Sequence, residues 1–215
     1  MSRESNLQRI LDGGLIAVVR TQDSHHLIPA LRAIAEGGVD VAEITFTVPG
    51  ALELIAATKR ELGQKVLVGA GTVLDSESAR AAILAGAEFV VSPTFDPAVV
   101  ALAKRYGKLA FPGAFTPTEI LAAWEAGADI VKVFPAECLG PAFFKAMRGP
   151  LPQIRLMTSG GVDLKSASEF LRAGASCLGV GSNLVDPKAI ARQDDEYLKG
   201  LAFQYRQAVL MSRAG

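Results

Sequence analysis

Eight short apolar runs, each preceded by a glycine, constrain this chain more than any other feature. The runs are LIAVVR (15–20), VAEITF (41–46), VLVGAGTV (66–73), FVVSP (89–93), LAFPGAF (109–115), IVKVFP (130–135), IRLMTSGG (154–161) and CLGVGS (177–182). Gly14, Gly38, Gly63, Gly86, Gly107, Gly127, Gly149 and Gly174 stand shortly before them, and 160 residues over seven intervals give roughly 23 per unit. Between the runs lie segments with helical spacing, such as SESARAAILAG (76–86) and TPTEILAAWEAG (116–127). A glycine belongs where a helix ends, because it enters the left-handed conformation freely. Asp75, Ser76 and Thr116 read as helix N-caps, and Thr116 with Glu119 fits a capping box. Strands that are apolar throughout and alternate with helices belong to a parallel sheet covered by helices.

Eight such units close a barrel. The expected fold is a compact (β/α)8 TIM barrel, one domain over residues 1–215, with helices at both termini. An open doubly wound sheet is the runner-up, but no G-x-G-x-x-G opens the first βα turn. The core has ample material. Half of the 215 residues are hydrophobic, and the 21 glycines raise the apolar class to roughly 60%, against a usual ~45–50%.

In such barrels the chemistry sits at the C-terminal ends of the strands. Alternate strand residues share a face, so Glu43, Thr45 and Thr47 belong together, as do Ile130, Lys132 and Phe134. If both faces point inward, Glu43 and Lys132 enter the lumen. A lysine between Val131 and Val133 is anomalous, since lysine is rarely buried without a partner. It reads either as half of an internal ion pair, or snorkelling to water, or as a nucleophile. Desolvation disfavours the charged form of an amine, and a neutral amine forms a Schiff base with a carbonyl substrate. A carboxylate facing it is the natural general acid/base. The turns TSGGV (158–162) and GVGS (179–182) close the last two runs, where barrels often bind phosphate through backbone N–H groups and a short helix N-terminus.

Taken together, VAEITFTVP, VGAGTV, FVVSP, IVKVFPAE and TSGGV…GVGS resemble the 2-keto-3-deoxy-6-phosphogluconate (KDPG) aldolases, which include 4-hydroxy-2-oxoglutarate (KHG) aldolases, over roughly residues 5–205. The resemblance implies a class I aldolase, needing neither metal nor cofactor, that assembles as a homotrimer in the cytoplasm. It implies a small-molecule 2-oxo acid as substrate, cleaved to pyruvate and an aldehyde. It further implies Lys132 as the Schiff-base lysine and Glu43 as the general acid/base. Arg20 and Thr72 would hold the substrate carboxylate, Thr45, Pro93 and Phe134 would line the pyruvyl pocket, and Gly160, Gly161 and Ser182 would form the phosphate end. The chain departs from the family pattern in two places. Thr47 stands where many members have arginine, and Thr158-Ser159 stands where many have proline-threonine. The second change lies beside the distal end of the substrate.

Two other classes fit the same pattern: a phosphate-binding barrel isomerase or synthase working without a covalent intermediate, and a non-catalytic sugar-phosphate-binding barrel. Several classes do not fit. Charges balance at 22 basic and 22 acidic residues, which argues against a nucleic-acid or membrane-surface partner. No apolar run approaches the ~18 residues of a membrane span, and MSRESNLQRILDGG has no signal-peptide core. Cys138 and Cys177 form no metal or redox motif and are expected as two buried thiols. Adjacent His25 and His26 are expected to be solvated on the first barrel helix. The acidic run at 194–197 suits the first turn of a terminal helix. Trp124 and Phe143-Phe144 read as packing or interface residues.

Overall fold

The computed structural model describes residues 2–22 and 24–214 and turns every one of the eight runs into strand. In chain order these are β1 (Leu15–Val19), β2 (Val41–Thr45), β3 (Leu67–Gly71), β4 (Phe89–Val91), β5 (Leu109–Phe111), β6 (Gly113–Ala114), β7 (Val131–Val133), β8 (Leu156–Ser159) and β9 (Cys177–Val180). All pairings are parallel, in the order β5-β4-β3-β2-β1-β9-β8-β7-β6. β5 and β6 are separated only by Pro112, so nine segments make eight strands and the order is circular. Proline has no N–H to give to a ladder, and the fifth strand breaks there: β5 pairs with β4, and β6 pairs with β7.

The helices between the strands are α2 (Leu27–Glu36), α3 (Ala51–Leu62), α4 (Ser76–Ala85), α5 (Pro97–Arg105), α6 (Pro117–Glu125), α7 (Gly140–Met147) and α8 (Leu164–Arg172), with α1 (Arg3–Gly13) before β1. After β9 come the short α9 (Pro187–Ala191) and the terminal α10 (Asp195–Ala214), which packs on α2 and α8. Asp75 caps α4, whereas Ser76 is its first helical residue. Thr116 and Glu119 form the expected capping box. Seven of the eight glycines before the runs have positive φ; Gly149 does not, because α7 runs out through Arg148 in right-handed conformation.

Strand alternation splits the core in two. Leu15, Ala17, Val19, Ala42, Ile44, Val131 and Val133 face outward to the helices. Ile16, Val41, Leu67, Phe89, Leu109, Ile130, Met157 and Cys177 fill the lumen, and Ile10 of α1, flanked by Leu7 and Leu11, packs on them. The N-terminal half of the barrel is therefore a solid apolar plug, and polar side chains enter the lumen only further along the strands. Two expectations need correction. Cys138 is exposed; only Cys177 is buried. His26 is not solvated on a helix: it stands at the N-terminus of α2, four-fifths buried, with Nε2 3.0 Å from Asp195 of α10. Phe144, read as a packing residue, does pack in the core, edge-on to Phe143 and Phe170.

Candidate active site

β2 places Val41, Glu43 and Thr45 on the lumen face, and the β7 run does the same for Ile130, Lys132 and Phe134. Both charged residues are therefore buried just above the plug: Glu43 is 0% exposed and Lys132 4%. The Lys132 ammonium nitrogen lies 3.9 Å from Glu43 Oε1 and 5.1 Å from the centre of the Phe134 ring. That separation gives Coulombic attraction but exceeds hydrogen-bond length. Neither carboxylate oxygen of Glu43 has a hydrogen-bond partner among the described residues. A buried pair built for stability needs close geometry and satisfied lone pairs; this pair has neither. Gly71 of β3 makes room for the carboxylate, since a Cβ there would collide with Glu43 Oε1 and Cγ.

Thr45 is buried and donates to the Val19 carbonyl at 2.9 Å, with its oxygen 2.7 Å from that of Thr47. Because the Thr45 proton goes to Val19, Thr47 is the donor in the second bond. Thr72 follows β3 with φ of 59°, a conformation that a β-branched residue rarely adopts. Such backbone strain clusters at functional sites. Pro93 follows β4, and its carbonyl lies where a Cβ on Gly113 would be, so the broken fifth strand presses close against it.

A cleft of about 230 Å3 opens at the C-terminal ends of β1, β8 and β9. Phe134, Ser159, Gly160, Gly161, Ser182 and Asn183 line it, with Arg20 as its cation. The structure thus gathers Phe134 and the three residues expected at the phosphate end, and it adds Arg20 to them. Thr72 and Pro93 line no part of this cleft. The positive charge comes from the end of β1 rather than from the glycine motifs. Among the described residues, no backbone acceptor takes the N–H of Gly160, Gly161, Ser182 or Asn183, so these donors remain available to an anion. The helix termini beside them are not available. Asp163 caps α8 and Asp186 caps α9 with their own carboxylates. Hydrogen bonds from the Ser166 backbone and hydroxyl hold the Asp163 carboxyl below the usual aspartate range. Both helix termini beside the cleft thus carry an acidic cap. Asn183 is the lining residue that the sequence reading passed over: it directly follows GVGS, but nothing in strand or helix periodicity distinguishes it.

Such a barrel, with a buried amine facing a carboxylate beside an anion-suited cleft, is the scaffold of an aldolase, a carbon–carbon lyase. Comparison with known proteins is specific: the chain belongs to the KDPG and KHG aldolase family, whose model matches residues 7–201. It is 38% identical over 204 residues to the 2-dehydro-3-deoxy-phosphogluconate aldolase of Treponema pallidum, covering 94% of this chain and 95% of that protein. It is 32% identical over 196 residues to the 2-dehydro-3-deoxy-6-phosphogalactonate aldolase of Escherichia coli, covering 91% and 96%. Among solved structures, a KDPG aldolase from Legionella pneumophila with pyruvate captured as a covalent carbinolamine superposes with a TM-score of 0.83 at 25% identity, covering 90% of this chain and 95% of that one.

Proposed function

We propose that this enzyme is a class I aldolase that cleaves a 2-keto-3-deoxy-6-phospho sugar acid to pyruvate and glyceraldehyde 3-phosphate, and also cleaves 4-hydroxy-2-oxoglutarate to pyruvate and glyoxylate. The observation that carries the reading is the Lys132–Glu43 pair: buried, 3.9 Å apart, and without a hydrogen bond between them. The names of the relatives supply the substrate class. Lys132 attacks the C2 ketone of the 2-oxo acid, and loss of water leaves an iminium that serves as electron sink. Glu43 takes the proton of the C4 hydroxyl, directly or through one water. The C3–C4 bond breaks, its electrons pass to the iminium, and the aldehyde departs. Glu43 returns a proton to C3 of the resulting enamine, and hydrolysis frees pyruvate and Lys132. General acid–base help of this kind contributes ~10²–10⁴-fold.

Phe134, whose ring centre is 5.1 Å from the amine and which also lines the cleft, forms one wall of the pyruvyl pocket with Thr45 and Pro93. Thr72 binds the C1 carboxylate. Gly160, Gly161 and Ser182 hold the distal phosphate through loop amides and a hydroxyl, and Arg20 supplies the positive charge. Expected as a homotrimer, the protein leaves Leu74 58% and Leu84 62% exposed, apolar area of the kind subunit contacts cover. The free, exposed Cys138 thiol suits a reducing compartment such as the cytoplasm.

Borohydride reduction with pyruvate, read by mass spectrometry, tests the chemistry. The wild type should gain one reduced pyruvyl group on Lys132, and K132M should gain none while keeping its fold. An adduct retained in K132M overturns Lys132 as the nucleophile, and none in the wild type overturns the aldolase chemistry and favours an isomerase, a synthase or a binding protein.

A further inference from the structure

The two glycine loops of the cleft come from different strands, and one side chain joins them. Asn183 Nδ2 donates to the Val162 carbonyl at 2.8 Å, the only side-chain hydrogen bond between the two loops among the described residues. A carbonyl can only accept, so the bond fixes the orientation of the Asn183 amide. Among the described residues, its oxygen and second N–H have no partner in this wall of the cleft.

Both loops leave paired strands, with Ser159 opposite Gly179. Gly160 and Gly161 have φ of 94° and 70°, and the backbone of Pro135 and the side chain of Glu137 lie against them. The other loop is a tight turn in which the Gly181 carbonyl accepts from Leu184 N–H at 2.9 Å and Val185 N–H at 2.8 Å. Ser182 and Asn183 are its central residues, so their N–H groups are not used by the turn. Beyond the register set by the pairing of β8 with β9, the Asn183–Val162 bond is the side-chain tie between the two sets of free amides. Neither neighbouring helix terminus can substitute, because Asp163 and Asp186 fill them.

We propose that Asn183 is a positioning residue for the distal anionic group of the substrate, setting the register of the loop amides that receive it. The inference rests on the reading of this cleft as the phosphate end. Asn183 therefore acts on recognition of the phosphate and not on the Schiff-base chemistry, which takes place at Lys132.

Steady-state kinetics with KDPG and its unphosphorylated analogue, 2-keto-3-deoxygluconate, on the wild type, N183L and N183D tests this. Leucine keeps the bulk of asparagine but lacks the donor; aspartate keeps the shape, cannot donate to Val162, and adds a negative charge. In N183L, KM for KDPG should rise roughly five- to tenfold, the effect of losing one hydrogen bond, with kcat nearly unchanged. In N183D the rise should be larger. Both variants should lose less kcat/KM with the unphosphorylated analogue than with KDPG, so that the preference for KDPG falls, and both should still trap pyruvate. An unchanged preference for KDPG in both variants, or an equal loss with the two substrates, overturns the inference. Equal kcat/KM for the two substrates in the wild type instead overturns the reading of the cleft, and the inference with it.

Discussion

Lys132 and Glu43 are separated by 89 positions in the chain and by 3.9 Å in the barrel. Glu43→Gln keeps shape and hydrogen-bonding capacity but cannot carry a proton. This variant should still form the borohydride-trapped pyruvate adduct, more slowly, and should lose C–C cleavage more severely; rapid-quench trapping beside steady-state turnover separates the two. Wild-type turnover would leave Glu43 a structural partner only. Gly71 provides a second handle on the same carboxylate. A Cβ there would overlap the Glu43 side chain, so G71A displaces the carboxylate. Misplacement of a catalytic group by about 1 Å can cost ~10²-fold. G71A should therefore lose ten- to a hundredfold in kcat, by that same estimate, while retaining pyruvate trapping.

At the scale of elements, acidic side chains tie down the starts of α4, α6 and α8. The Asp163 carboxylate accepts from the Ser166 and Lys165 backbones, Asp75 from Ser78, and Glu119 from Phe115 and Thr116. These hydrogen bonds hold all three carboxyls below their ordinary values, the Ser166, Ser78 and Phe115 backbones acting most strongly in turn. A carboxyl whose folded pKa is lowered stabilises the fold fully above its unfolded value, ~4, and loses that contribution as pH falls through the folded value. Thermal midpoints should accordingly drop as pH falls below ~4. Asparagine still caps a helix but carries no charge. The Tm difference between wild type and D163N should thus be present at pH 7 and shrink in strong acid. A difference independent of pH would show that the charge of Asp163 contributes nothing.

On the scale of the whole molecule, the barrel closes through a strand broken at Pro112, and the apolar plug below Glu43 and Lys132 keeps water from entering beneath the reacting groups. The large apolar side chains at its surface lead to one expectation. Sedimentation at micromolar concentration should give a species of three times 22.6 kDa. A 22.6 kDa monomer with full activity would show that the site is complete within one chain and that the trimer has no part in function.

The repeat of apolar runs and glycines was enough to establish the barrel, because strand and helix periodicities and helix C-terminal glycines are local properties of the chain. The lumen positions of Glu43 and Lys132 were legible for the same reason: alternation assigns faces, and barrel closure gives those faces one interior. Other features depended on non-local distance, which periodicity does not encode. Only the tertiary structure decided that the pair stands too far apart for a hydrogen bond. It alone showed that Gly71 leaves room for Glu43, that Arg20 lines the cleft of the glycine loops whereas Thr72 and Pro93 do not, and that Asp163 and Asp186 cap the helices beside it. The Asn183–Val162 bond belongs to the same class: its partners are 21 positions apart, on loops brought together only by the pairing of β8 with β9.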